Sequence, residues 1–403
     1  MEPTASPADL AAARSILPWI VDLRRRLHRV PEVGLETPLT REIVLAALRE
    51  IGLEPTLDRT TSGVTAVIEG GRPGPVVLLR ADMDGLPLTE ETGLPFSSEH
   101  AGRMHACGHD THVAMLLGAA RLLLAERASL AGKVLLMLQP GEEGFHGARF
   151  MLEEGLLARA GERPVGAFAI HISNDFPAGT LNIRSGPLLA CADRIVVTIR
   201  GRGGHASAPH NALDPITVAA ELIIALQLMV TRRVDAPADP VVLTIGRVSA
   251  GTTNNIIPEV AVLEGTIRSL SRETRAAMRQ RLHQVAEGIC AAHGASVEIE
   301  IDPGFPVTFN DAAFTELVRE VGRRVAGPDV VREMSAPLMG AEDFSYVIDE
   351  VPGAMAFLGA RPAGEDPATA PRNHSNRIVF DEESMALGAA TYAAVARRVT
   401  AGA

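Results

Sequence analysis

The chain has 403 residues, 46% of them hydrophobic and 22% charged, an ordinary balance for a folded protein long enough to build two cores. Its formal net charge of −11 excludes a general binder of phosphate backbones, and 3% aromatic residues leave little stacking surface for bases, so no nucleic-acid partner is expected. The three cysteines, Cys107, Cys191 and Cys290, are odd in number and far apart, which gives no disulfide framework and suggests a cytoplasmic location.

Residues 1–30 carry Glu2, Asp9 and Asp22, and the apolar stretch 16–23 is broken by Pro18 and Asp22, so no secretion signal is read there. No run reaches the roughly 18 apolar residues of a bilayer span, and no membrane partner is expected. Residues 10–29 read as a helix broken or kinked at Pro18, and 40–51 as a second helix. Strands are expected at 64–69 and 76–80, a strongly apolar helix at 113–126, and buried strands at 133–138 and 165–170. This alternation predicts an α/β layered sheet. From 186 the order changes: strand 194–200, helix 212–231, strands 241–248 and 260–267, helix 272–293, strand 296–301. That βαββαβ order is ferredoxin-like and can fold as a unit. Helix 312–325, strand 354–358 and helix 382–396 resume the α/β pattern, and 361–372 reads as a loop. The expected architecture is therefore a large mixed-sheet domain, 1–185 and 304–403, with a smaller domain, 186–303, inserted as a lid or dimerisation element.

The chemistry-bearing segments follow the large domain's strands. Strand 76–80 runs into Asp82 and Asp84, 133–138 into Glu142 and Glu143, and 165–170 into His171. Ligand sites in open α/β sheets lie at such strand ends. Cys107 and His109, two residues apart at the start of the apolar helix, can reach one ion or two adjacent ones. A thiolate with an imidazole suits zinc, manganese, cobalt or nickel better than calcium or magnesium. A closed zinc knot would need more cysteines; a satisfied polar cluster at a helix start stays open on these residues alone. Adjacent Glu142 and Glu143 allow one carboxylate to hold metal while the other faces the attacking water, pairing a Lewis acid with a general base. A Glu-Glu pair is usually a solvated turn, but Pro140, Gly141 and Gly144 favour a fixed loop here.

The segments LLRADMDGLPL, MHACGHDTH, LQPGEEG, AIHIS, RGRGGHASAPH, GTTNNIIPEVAVLEGTIRS and MGAEDFSY occur in this order from about Leu23 to the C-terminal helix. Together they resemble the M20 metallopeptidase family, in particular its amidohydrolase branch of hippurate, N-acyl-amino-acid and auxin-conjugate hydrolases. The resemblance implies two divalent transition-metal ions (zinc, manganese, cobalt or nickel) held by Cys107, His109, Glu143, His171 and His374. It makes Glu142 the general base and later proton donor, and gives Asp84 the orienting of a metal ligand. In the inserted domain it assigns His205 to the tetrahedral oxyanion, and Asn255 and Arg268 to the substrate side. Two positions depart from the pattern: Gly85 stands where alanine is usual, and Ser375-Asn376 follows His374 where proline is common. His105, His112 and His210 read as structural or supporting, and Cys191 and Cys290 as small buried residues.

Gly201-Arg202-Gly203-Gly204-His205-Ala206 formally matches a dinucleotide fingerprint, but Pro209 and Pro215 delay the helix that fingerprint requires. The expected activity is hydrolysis of an N-acyl amino acid to a carboxylic acid and a free amino acid. A dipeptidase or carboxypeptidase of the same fold is the alternative. A non-catalytic binding homologue is disfavoured by Glu142 beside Glu143. A homo-oligomer through the inserted domain is also expected.

Overall fold

The computed structural model describes residues 5–402; Glu2, used in reading the N-terminus, lies outside them. Two compact units emerge, the second being Leu189–Thr308 with Pro337–Glu342.

The first unit is built on an eight-stranded mixed sheet. Its order is Pro55–Leu57, Val64–Glu69, Ala131–Gln139, Arg72–Asp82, Gly166–Pro177, Gly353–Arg361, Leu181–Ile183, Val331–Glu333. The four longest of these, Ala131–Gln139, Arg72–Asp82, Gly166–Pro177 and Gly353–Arg361, run parallel. Their central stretches are buried, which is why they read as apolar runs rather than alternations. Helices His109–Ala125 and Ser384–Thr400 pack on each other and on these strands, and their residues dominate one continuous core.

Several expected boundaries move. Residues 7–28 form two helices, Pro7–Ser15 and Leu17–His28, divided at Ile16. Pro18 does not kink a helix; it sits in the first turn of the second, where its missing N–H costs nothing. The apolar helix begins at His109, four residues before the expected start. Its entry requires glycine: Gly108 has φ +90°, and a Cβ there would meet Ile172 Cγ2 at 2.4 Å and the Phe380 ring at 2.9 Å. His171 lies inside strand Gly166–Pro177, paired with Phe357, rather than just past a strand end.

On its other side the same strand pairs for a shorter distance. Arg72–Asp82 and Gly166–Pro177 pair only from Val77–Gly166 to Arg80–Ala169. Beyond this the strands part, and the Tyr392 hydroxyl joins them by accepting from Ile170 N (2.7 Å) and donating to Arg80 O (2.8 Å).

The second unit has a four-stranded antiparallel sheet, Val242–Ala250, Val260–Ser269, Cys191–Arg200, Ser296–Pro303, with helices Pro215–Arg233 and Arg272–His293 packed together. This is the βαββαβ arrangement. Asp214 and Ser271 start the helices by accepting from Ile216 N (2.9 Å) and Thr274 N (3.0 Å). The unit also takes in Pro337–Glu342, outside the expected 186–303, because Ala190 N donates to both Leu338 O and Gly340 O. One helix corrects the expectation of no membrane-length run. Pro215–Arg233 is long and apolar enough by length and composition, and one face of it packs in the core of the second unit through Val218, Leu222, Leu226 and Met229.

Candidate active site

Cys107, His109, Glu142, Glu143, His171, His374 and Asp84 all lie in the first unit and converge. The ligand atoms of Cys107, His109 and His171 are within 4.8 Å of one another, and so are those of Cys107, Glu143 and His374. Cys107 belongs to both groups. Strand Gly166–Pro177 carries His171, Asp84 lies two residues past the end of strand Arg72–Asp82, and the loop after Ala131–Gln139 carries the two glutamates.

Hydrogen bonding settles which ring nitrogen of each histidine faces the cluster. His171 Nδ1 is 2.7 Å from Ile172 O, to which only an N–H can bond, so Nε2 is bare and faces Cys107 Sγ at 3.3 Å. In the same way His109 Nδ1 donates to Asp84 O (2.9 Å), and its buried Nε2 has no hydrogen-bond partner. Glu143 Oε1 is also buried without a hydrogen bond, 3.2 Å from His374 Nε2 and 4.0 Å from His109 Nε2. Orphaned buried donor atoms are costly unless something binds them. A thiol, imidazoles and a carboxylate turned toward one another in this way fit divalent transition metals once their protons are displaced.

A further group of Asp82, His109 and His112 is equally close, but His112 is already saturated. Its Nε2 accepts from Ile172 N (2.8 Å) and its Nδ1 donates to Asp82 Oδ1 (2.6 Å). Both ring nitrogens of His112 are thus engaged by protein groups. Burial lowers its pKa, and burial with His112 nearby holds His171 well below its ordinary value, so both rings are neutral. Burial works against ionising Asp82, yet Arg80, His109 and His112 hold its carboxyl well below the usual range.

Asp84 grips the glutamate loop directly. Its Oδ1 accepts from Glu142 N (3.0 Å) and its Oδ2 from Glu143 N (3.1 Å). The two side chains are thereby launched from neighbouring fixed amides, and Glu142 is itself buried. His374 sits in the left-handed region at φ 71°. The preceding residue, Asn373, donates from one amide nitrogen to Cys107 O and Ile172 O, both at 3.0 Å. Sequence reasoning missed Asn373 and Arg80, and noted Asp82 without giving it a role. The available signal was Arg80 itself, a charge inside the apolar run VVLLRAD that burial obliges to be paired.

Metal loading must displace protons, which sets a pH dependence. Burial and Glu143 push the Cys107 thiol up. For His109, burial favours the neutral ring but is outweighed by Asp82 and Cys107, which raise it well above its ordinary value. Cys107 and Glu143 push His374 up to about 10. Each proton competes with metal below its pKa, so apparent affinity should climb steadily from about pH 6 to 8. Competition titrations with a chromophoric chelator measure this; a flat affinity across that range would overturn the ligand set.

In the second unit His205 and Asn255 come together and Arg268 does not join them. Gly204–His205 bridges to Ile256–Ile257, and Ala206 N donates to Asn255 O (3.1 Å). Both residues line an open cleft of ≈ 600 Å³ with Gly203, Pro258 and Glu259. His205 Nδ1 accepts from Ser207 N (3.1 Å) and lies 2.7 Å from Ser207 Oγ. The ring proton is therefore on Nε2. Arg268 lies on strand Val260–Ser269 opposite Ala192 and Val242. It is half-buried, yet makes no hydrogen bond or ion pair with any described residue.

Among known proteins, the sequence profile of peptidase family M20/M25/M40 matches residues 78–398. Thermostable carboxypeptidase 1 of Saccharolobus solfataricus is 38% identical over 389 residues, covering 95% of this chain and 96% of its own length. The N-acetyl-L-cysteine deacetylase of Bacillus subtilis is 41% identical over 340 residues, covering 84% and 80%. A solved Bacillus subtilis structure described as a dinuclear metal binding peptidase from the M20 family superposes with a TM-score of 0.83 at 33% identity, covering 97% and 100%.

Proposed function

The chain belongs to peptidase family M20/M25/M40, a metal-dependent hydrolase of amide bonds, and on that premise we propose that its substrates are N-acyl amino acids. They are cleaved to a carboxylic acid and a free amino acid. The observation that carries this reading is Arg268, a half-buried guanidinium that pairs with nothing in the described chain and suits a substrate carboxylate. The relative named as a deacetylase of an N-acetyl amino acid supports the same class.

Cys107, His109, Glu143, His171 and His374 would hold two divalent metals, with Cys107 common to both groups; thiolate with imidazole suits zinc, manganese, cobalt or nickel. When bound, such ions polarise the scissile carbonyl and acidify the attacking water. Glu142 takes the proton of that water on its carboxylate and later delivers it to the leaving nitrogen. Asp84 fixes the amide from which Glu142 projects. His205, with its proton on Nε2, is the donor a tetrahedral oxyanion needs, and Asn255 shares its cleft.

A second reading, cleavage of a peptide's C-terminal residue, is favoured by the relative named as a carboxypeptidase. Hippurate, acetyl- and indoleacetyl-amino acids and dipeptides, assayed with each of the four metals, separate the two. Turnover of the N-acyl amino acids supports the first, and turnover of dipeptides only establishes the second.

The homo-oligomer would form at the free edge of the second unit's sheet. Strand Val242–Ala250 pairs on one side only and exposes Val242 and Val248 beside Ile224 and Leu228 of the adjoining helix. Unpaired edges of this kind invite a second copy. Val248→Lys should convert a dimer to monomer in light scattering, and an unchanged mass would place the contact elsewhere.

A further inference from the structure

The loop from Pro140 to His146 leaves strand Ala131–Gln139 and enters helix Gly147–Glu153. It must hold Glu142 still while making sharp turns. Gly141 and Gly144 have φ +70° and +85°. Gly147 N closes back on Gly141 O at 3.0 Å, and a Cβ on Gly147 would meet Pro140 O at 1.7 Å. Asp84 grips the middle of this loop through the Glu142 and Glu143 amides.

Both ends of the loop are gripped by one other carboxylate. Asp343 is fully buried. Its Oδ1 and Oδ2 accept from Gln139 Nε2 at 2.7 and 2.8 Å, and its Oδ2 accepts from Ala148 N at 2.9 Å. Gln139 immediately precedes the loop and Ala148 lies one residue past its closing glycine. Asp343 Oδ1 also takes Arg80 Nη2 at 3.1 Å, and Arg80 donates onward to Asp82 Oδ2 (2.7 Å) and Gln139 Oε1 (2.9 Å). Asp82 in turn fixes His112 and lies 3.4 Å from His109 Nε2. One buried network therefore joins the glutamate loop to the histidine ligands.

We infer that Asp343 is a positioning residue for the hydrolysis, tying both ends of the Glu142 loop to Arg80 and so setting where the Glu142 carboxylate stands. The inference rests on Glu142 acting as the base. The plainer role, a counter-ion for buried Arg80, does not account for the arrangement. Arg80 already has Asp82, and Asp343 also accepts from both ends of the loop, through Gln139 Nε2 and Ala148 N. A base displaced by about 1 Å loses much of its effect, of order 10²-fold, and removing a partner that orients a site residue costs about 10- to 100-fold.

Asp343→Asn keeps the shape but turns an amide N–H₂ toward donors. In the metal-loaded enzyme it should lower kcat by about 10- to 100-fold, with KM and bound metal near the parent values and the acid limb of the pH–rate profile displaced. Adding Gln139→Glu restores the pairing between positions 139 and 343 with reversed polarity: the new carboxylate accepts from Asn Nδ2 and from Arg80 Nε, while the single Asn oxygen serves one of Arg80 Nη2 and Ala148 N. The double variant should recover at least about 10-fold of the loss, a rescue that generic damage would not show. Full kcat in Asp343→Asn, loss of metal in step with activity, or no recovery in the double variant would each overturn the inference. If Asp343→Asn does not fold, Gln139→Met removes one clasp and should lower kcat about 10-fold, full kcat again overturning it. Glu142→Gln measured alongside keeps the two levels apart, because full activity there removes the base itself and not its positioning.

Discussion

Glu142→Gln is expected to keep the fold and the bound metals while kcat falls by at least ~10²-fold, the scale of general acid–base catalysis. The substitution is isosteric, and the backbone grip of Asp84 on Glu142 N does not depend on the side chain. What disappears is a carboxylate able to take a proton from water and return it to the leaving nitrogen. Glu143→Gln should behave differently. Its Oε1 is the buried oxygen that stands 3.2 Å from His374 Nε2 without a hydrogen bond, the position of a ligand. That variant should lose metal first and activity in consequence. Metal analysis by mass spectrometry, run beside steady-state kinetics on both variants, tells them apart. Swapped phenotypes would exchange the two roles, and unimpaired turnover in Glu142→Gln would remove the base from the mechanism.

The division between what was legible in the chain and what was not follows the range of the interactions. Strand Val64–Glu69 and helix Arg272–His293 fall where local pattern places them, because their periodicity and caps lie within the segment. Pro55–Leu57, Leu181–Ile183 and Val331–Glu333 were not legible. Each is three residues long; Leu181–Ile183 pairs with Gly353–Arg361 and with Val331–Glu333, about 175 and 150 positions away. The site divides in the same way. Cys107 and His109 announce themselves by spacing, and Glu142 and Glu143 by adjacency, whereas Asp343 is defined by Arg80 263 residues earlier and Gln139 204 residues earlier. No local pattern encodes such a contact. His171 was legible as a residue but not as a geometry: only the register with Phe357 shows that the strand continues through it.

Arg268→Ala is expected to cost roughly 10- to 150-fold in kcat/KM on a substrate with a free carboxylate, corresponding to a charge-assisted contact of about 1.5–3 kcal/mol. Its neighbours show why Arg268 is unusual. Arg275 and Arg279 both pair with Asp193, the latter through Nε at 2.7 Å and Nη2 at 2.6 Å. Arg268, on the strand beside them, has no such partner, and burial pushes its pKa down. A solvated surface arginine would carry no such cost. A guanidinium held partly out of water without an anion is poised to gain one, and its planar fork matches a carboxylate in a way lysine cannot copy. Arg268→Lys should therefore recover only part of the loss. Amidating the substrate carboxylate should weaken turnover by the parent enzyme while leaving the Arg268→Ala variant nearly unaffected. The four rate constants close a double-mutant cycle that separates the pairwise contact from general damage. Equal losses on acid and amide would show that Arg268 reads something other than the carboxylate, and would remove the observation on which the N-acyl amino acid assignment leans most.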